Sequence, residues 1–363
     1  MRKLTLLLIP LFVLALIWGA MGCNEKETRA TPTPTEAPPT VTPSHTPSSM
    51  VSETLAFQID VPSMMQESLQ ISPDGKRMAY AALAAGDKWF VVVDGTEGKQ
   101  YDGVLKGSPV FSPDSKRVAY GARLGDKVSV VVDDMEGAQY DGVVSLVFSP
   151  DSERVAYSAK LGDKWLVVVD GIEGKQYDGF GSLIFSPNGK RVAYSAKLGD
   201  KWLPVADGIE GKQYDGVGSL VFSPDSKLVA YAAKLGDKWL VVVDGIEGKQ
   251  YDSVGSLIFS PDSKRVAYGA KLGDKVSVVV DGLEGKHYDG MGAGSLSFSP
   301  DGKRVAYAAK LGDSWSVVVA GDEGEQYDGI FIGPRGVMFD SPDSLHYLSL
   351  KGNSVYLVKQ RIE

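Results

Sequence analysis

Cysteine is almost missing from this sequence. The 363 residues contain one, at position 23, so no internal disulfide can form and stability must come from packing. Histidine is nearly as scarce. His45, His287 and His346 are far apart in the chain, whereas a zinc site needs grouped ligands and a nucleophile needs a positioned base. Basic charge is not in excess either: 38 Lys and Arg stand against 46 Asp and Glu, a net charge of −8. That balance excludes the cationic stripe that draws nucleic acid and the polybasic segment that holds anionic lipid. Helical periodicity is absent after residue 55, which excludes helical repeats and a phosphate loop opening onto a helix. The recurrent D-G-x-E-G spacing is shorter than a calcium loop of the EF-hand type. No catalytic residue, metal site or cofactor is assigned.

What is present begins with an address. Arg2 and Lys3 precede the apolar run "LTLLLIPLFVLALIWGA", and "GAMGC" ends at Cys23. This is the order of a secretory signal, and it resembles a bacterial lipoprotein signal in which Cys23 is lipidated. Ala20 stands where that family usually has Leu, and an uncleaved apolar anchor is the alternative. Residues 1–22 are therefore read as signal and 23–54 as a tether. "TRATPTPTEAPPTVTPSHTPSS" has too little apolar surface to offset its ordering entropy. The rest of the chain is expected outside the cytoplasm, held to a bacterial membrane through its N-terminal lipid.

Residues 55–363 form an array. "SPD" or "SPN" starts at Ser72, Ser112, Ser149, Ser186, Ser223, Ser260, Ser299 and Ser341, a period near 40 residues. The nineteen residues 160–178, "KLGDKWLVVVDGIEGKQYD", recur unchanged at 234–252. Each unit holds four short extended runs broken by turn residues: "SLVFS", "RVAYSAKL", "KWLVVVD" and "KQYDG". "WLVVV" is apolar throughout, as in a strand covered on both faces. "KQYDG" is polar and carries Lys, as in an outer edge strand. The fold class expected is all-β, a β-propeller of eight four-stranded blades. Three runs at the C-terminus and one at the N-terminus, residues 54–62 with "FQID" matching "KQYD", would complete the eighth blade. Seven blades is the alternative.

The segments "FSPDSKRVAY" and "FSPDGKRVAY" resemble the WD-repeat-like propeller repeats of the TolB C-terminal domain and of the prolyl oligopeptidase propellers. The resemblance covers 55–363 and implies a propeller and a periplasmic type of habitat. There is no Trp-Asp dipeptide, no helical N-terminal domain of the TolB kind and no hydrolase domain.

Two sets of residues are candidates for contact. Trp89, Trp165, Trp202, Trp239 and Trp315 open the third run of five units, either as an aromatic rim that stacks glycan or as packing between blades. Ile330, Phe331, Ile332 and Arg335 lie in the least repeat-like loop, "GIFIGPRG", as a partner contact or as packing against the closing blade. Pro204 in "KWLPVADG" removes a ladder donor from an inner strand. The function expected is non-enzymatic binding of a protein or cell-envelope component. A glycan- or peptide-binding propeller is the alternative, and a hydrolase or lyase using Asp340, Arg335 and His346 stands behind it.

Overall fold

A computed structural model describes residues 55, 56, 58, 63–332 and 337–362. The signal-type segment, Cys23, the tether, Arg335 and most of the N-terminal run 54–62 lie outside the described residues. Among those described, eight antiparallel sheets follow one another along the chain, and the helical content is one 3₁₀ turn, Gln66–Ser68. The third sheet is representative. Its strands Gly142–Phe148, Val155–Leu161, Lys164–Val169 and Ile172–Glu173 pair in sequence order. In the second, seventh and eighth sheets the first strand is split in two, as in Gly103–Val104 and Val110–Phe111.

The turns explain why these residues recur. The Ser149 hydroxyl accepts the Arg154 amide at 2.9 Å while Asp151 Oδ1 accepts from the Ser149 hydroxyl, closing the turn on its own side chains. The next residue must be left-handed: Ser115, Ser152, Ser226 and Ser263 have φ between 64° and 67°, and Gly takes the position elsewhere, as at Gly189. A serine there costs more than glycine in backbone strain. The cost is offset because its Oγ accepts the Asp amide of the preceding sheet, as Ser152 does from Asp114 at 2.9 Å.

Each sheet packs its face on the next, in the manner of propeller blades. Val167 and Tyr177 of the third sheet meet Val192, Tyr194, Ala196 and Leu203 of the fourth in one apolar cluster. Full burial of a side chain such as Leu203 contributes about 1.5–3 kcal/mol. Pro204 is accommodated for a directional reason. Its carbonyl accepts the Gly211 amide at 2.8 Å, as Val167 accepts Gly174 at 2.9 Å, so the polar atoms of this position point to the outer strand. The missing N–H is therefore lost from the sheet edge, not from the inner ladder.

One expectation is refined. The outer strand starts at Ile172–Glu173, immediately after the turn, and the polar run "KQYDG" rejoins it at its tyrosine; in the second sheet a single strand, Met135–Tyr140, spans both parts. In the third sheet that tyrosine, Tyr177, forms a bridge to Trp165 and is 2 % exposed. A single aromatic in a polar run is pulled inward because an outer residue of one sheet is an inner residue of the next interface.

The array has two unlike ends. Among the described residues the last sheet fills three strand positions, its split first strand being followed by Ser344–Lys351 and Ser354–Arg361. Val355 and Leu357 are more than half exposed, while Val167 and Val241, at the register position of Leu357, are 3 % exposed. At the other end Ile71 is 66 % exposed, where its counterparts Phe111 and Phe148 lie under Arg77 and Arg117 of the preceding sheet.

Candidate functional site

The polar side chains of the array are spent on holding sheets together. Arg154 donates from Nε to Asp170 in its own sheet and from Nη1 to the Lys190 carbonyl of the next. The Tyr177 hydroxyl donates to Glu210 of the next sheet at 2.8 Å, and Lys175 reaches the same oxygen at 2.8 Å. The Tyr177 ring meets Tyr194 edge-on at 6.2 Å. Burial and the adjacent carboxylate push the Tyr177 phenol up, and the Lys175 and Tyr177 hydrogen bonds hold Glu210 below the usual carboxylate range. On the opposite rim, Asp178 accepts the Gly199 amide of the next sheet and pairs with Lys164. The Asp residues of the "SPD" turns are likewise held by their Ser hydroxyls.

This arrangement orients one residue type that the sequence reading passed over. In the two-residue outer strand, alternation forces neighbouring side chains to opposite faces. Glu173 points toward the preceding sheet and takes the Tyr140 hydroxyl at 2.9 Å. Ile172 must then point away. The same position holds Met135, Ile172, Ile209, Ile246 and Leu283 in five consecutive sheets, each 74–77 % exposed. Thr96 in the first sheet and Asp322 in the seventh end the row. A polar residue would cost nothing at such a place, yet five successive sheets present an apolar side chain there, an edge row in the sense of one repeated register position. The signal was in the sequence: an apolar residue inside the otherwise polar turn "DGIEGK", repeated in five consecutive periods.

The residues singled out from sequence fall as follows. Trp89, Trp165, Trp202, Trp239 and Trp315 are half-buried, each bridged to the Tyr of its own sheet, and Trp165 lies 5.3 Å from the Phe180 ring of the next sheet. Ile330 packs on the apolar cluster of the last sheet. Ile332 fills the space beside Gly292, where a Cβ would lie 2.0 Å from its Cδ1. Phe331 is half exposed, and Arg335 is outside the described residues. His346 Nδ1 and Asp340 Oδ1 lie 2.7 Å apart on the open last sheet. No described residue hydrogen-bonds the other ring nitrogen of His346. In the seven earlier sheets the His346 position is an alanine of 0 % exposure, such as Ala156 or Ala306.

These features define a class: an all-β repeat protein of propeller-type sheets, stitched by one repeated polar network and carrying an aliphatic edge row. No family model matches the chain, and no curated protein does. Among solved structures it is similar to a eukaryotic initiation factor, at 14% identity over 74% of this chain and 80% of that one, with a TM-score of 0.44. It is also similar to the Dos1 propeller (10% identity, 82% and 92% of the chains, TM-score 0.39) and to TolB from Acinetobacter baumannii (16% identity, 72% and 80%, TM-score 0.32).

Proposed function

We propose that this chain is a membrane-tethered, extracytoplasmic β-propeller that acts without catalysis, by binding a protein partner along the edge row Met135, Ile172, Ile209, Ile246 and Leu283. The observation that carries this reading is the exposure of five aliphatic side chains at one register position, beside charged groups already paired within and between sheets. Equal, evenly repeated contacts suit a scaffold that grips an extended apolar surface. Cys23 carries the lipid, and the Thr- and Pro-rich tether holds the array off the membrane. Eight blades close when residues 54–62 supply the fourth strand of the last sheet. That pairing covers the free edge of Ser354–Arg361, and the first sheet then covers Val355 and Leu357.

The test is crosslinking in the native envelope with the tethered chain and with Ile209→Ser/Ile246→Ser. Both sites are exposed, so folding should be preserved within about 0.5 kcal/mol per site. Wild type yields a defined protein adduct that the double variant loses. An adduct of equal yield from both overturns the edge row as the contact.

A second reading rests on the Asp340–His346 hydrogen bond. A carboxylate that orients an imidazole is the geometry of a general base. It would make the last sheet a hydrolytic site, and turnover of an envelope peptide or glycoside by wild type but not by His346→Asn would support it.

A further inference from the structure

In five sheets one aspartate, placed by a left-handed backbone at the end of the third strand, performs the same two tasks. Asp94, Asp133, Asp170, Asp207 and Asp281 each accept the Nε–H of the sheet's arginine at 2.7–2.8 Å through Oδ2. Through Oδ1 each accepts the backbone amide that follows that arginine, at 2.9–3.0 Å. The seventh sheet keeps the arginine, Arg304, but has Ala320 in place of the aspartate.

The backbone is otherwise unchanged. Ala320 retains φ of 53°, a conformation costly for alanine, and its amide donates to the Val305 carbonyl at 2.9 Å, as Asp170 does to Val155. The substitution therefore deletes a carboxylate from a preserved cradle. Arg304 keeps one described hydrogen bond, from Nη1 to the Pro342 carbonyl at 2.8 Å, and its Nε–H has no acceptor among the described residues. Val305 is 6 % exposed, so its amide is withdrawn from water in the same place.

The surroundings favour an anion. Arg304 and Arg361 line a cavity of about 570 Å³ together with Asp343 and Ile362. On the other side, Ala320 and Val305 open onto a groove of about 270 Å³ that also holds Arg265, Glu284 and Lys303. Of the nearby carboxylates, Glu284 takes Tyr251 and Lys249, while Asp343 and Asp301 take Ser341 and Ser299 hydroxyls and keep their charge near Arg304, so the cavity sets two arginines against one aspartate. Arg265 is paired with Asp281.

We propose that the seventh sheet carries a binding site for a carboxylate group, held by Arg304 Nε–H and the Val305 amide in the position that an aspartate side chain fills in five sister sheets. The flat, two-oxygen shape of a carboxylate matches the two donors, one oxygen to each, as in those sheets. Arg361 adds a second positive charge without a donor geometry of its own. The group belongs either to a small organic acid or to the free C-terminus of a peptide. This site does not depend on the edge row.

The experiment uses the full chain in detergent and follows thermal unfolding in sodium formate or acetate against sodium chloride at equal ionic strength. Wild type is expected to gain several degrees with saturation in formate, and Ala320→Asp to start several degrees higher and to gain nothing further. Arg304→Gln, which keeps the stem of the side chain, loses the formate response. Peptides ending in a free carboxylate or an amide then distinguish the sources: free-acid peptides that outbind acetate assign a chain end, and equal binding assigns a small acid. Equal formate responses in wild type and Ala320→Asp, or an Ala320→Asp chain no more stable than wild type, would overturn the proposal.

Discussion

The tyrosine–glutamate bonds between sheets offer a direct measure of how the array is held together. Tyr214 is 1 % exposed, and its hydroxyl donates to Glu247 of the next sheet at 2.8 Å, while Lys212 reaches the same oxygen at 2.7 Å. Hydrogen bonds to charged partners are worth about 1.5–3 kcal/mol when buried. The Glu247 side chain is 33 % exposed, so about 1 kcal/mol is the reasonable value for Tyr214→Phe. The ring stays, and with it the edge-on contact to Tyr231 at 6.1 Å. Glu247→Ala should cost more, about 2 kcal/mol, because it takes the charged acceptor from a buried hydroxyl and leaves it only the neighbouring Tyr231 hydroxyl. The double variant has neither group to strand and should cost about 1.5 kcal/mol, below the sum by a similar amount. Guanidinium unfolding followed by fluorescence is suitable, since Trp202 and Trp239 sit in the two sheets concerned. Additivity within about 0.3 kcal/mol would refute the reasoning, because the hydroxyl and the carboxylate would then be acting independently.

Leu228 replaces the arginine of the fifth sheet although Asp244 remains; Leu228→Arg should regain an ion pair and a bond to the sixth sheet, stabilising by about 0.5–1.5 kcal/mol in the same unfolding assay. Acid should weaken the fold progressively. The turn aspartates and the inter-sheet glutamates Glu136, Glu210, Glu247, Glu284 and Glu323 have folded pKa values below their ordinary range, Asp114 at about 2 through its Ser112 hydrogen bond and Glu210 lowered through Lys175 and Tyr177. The unfolded chain thus binds more protons, so this stability is complete above about pH 5 and is lost as pH falls toward 2. A melting temperature flat from pH 5 to pH 3 would contradict that.

Much of this architecture was readable from the residues, because a 37-residue period repeats each turn and strand until packing leaves no other choice. "RVAYSAKL" and "WLVVV" are the second and third strands wherever they occur. The fourth strand was read without its first residues, and the burial of its tyrosine was not foreseen, for a specific reason. Tyr177 is one aromatic in a polar run, and burial there comes from the next sheet, which no local pattern displays. The edge row was hidden by the same logic: Ile172 looks like core until the Tyr140–Glu173 bond fixes which way the two-residue strand faces. The loop "GIFIGPRG" was open between partner contact and packing, and Ile330 and Ile332 take the second, on the core of the last sheet and on Gly292. The loss at Ala320 was visible as "VVVAGDEG" against "VVVDGIEG", but its meaning required the arginine geometry of the other sheets.

The claim that recognition runs along the outer edge is tested most directly by placing a photo-crosslinking residue at single positions in the tethered chain, in its own envelope. Ile172, Ile209 and Ile246 are the row, Phe331 is the irregular loop, and Thr96 lies just beyond the row's end. The account predicts one common protein adduct from the three row positions, weak or absent at Thr96. Adducts confined to Phe331, or equal capture at every position, would contradict it.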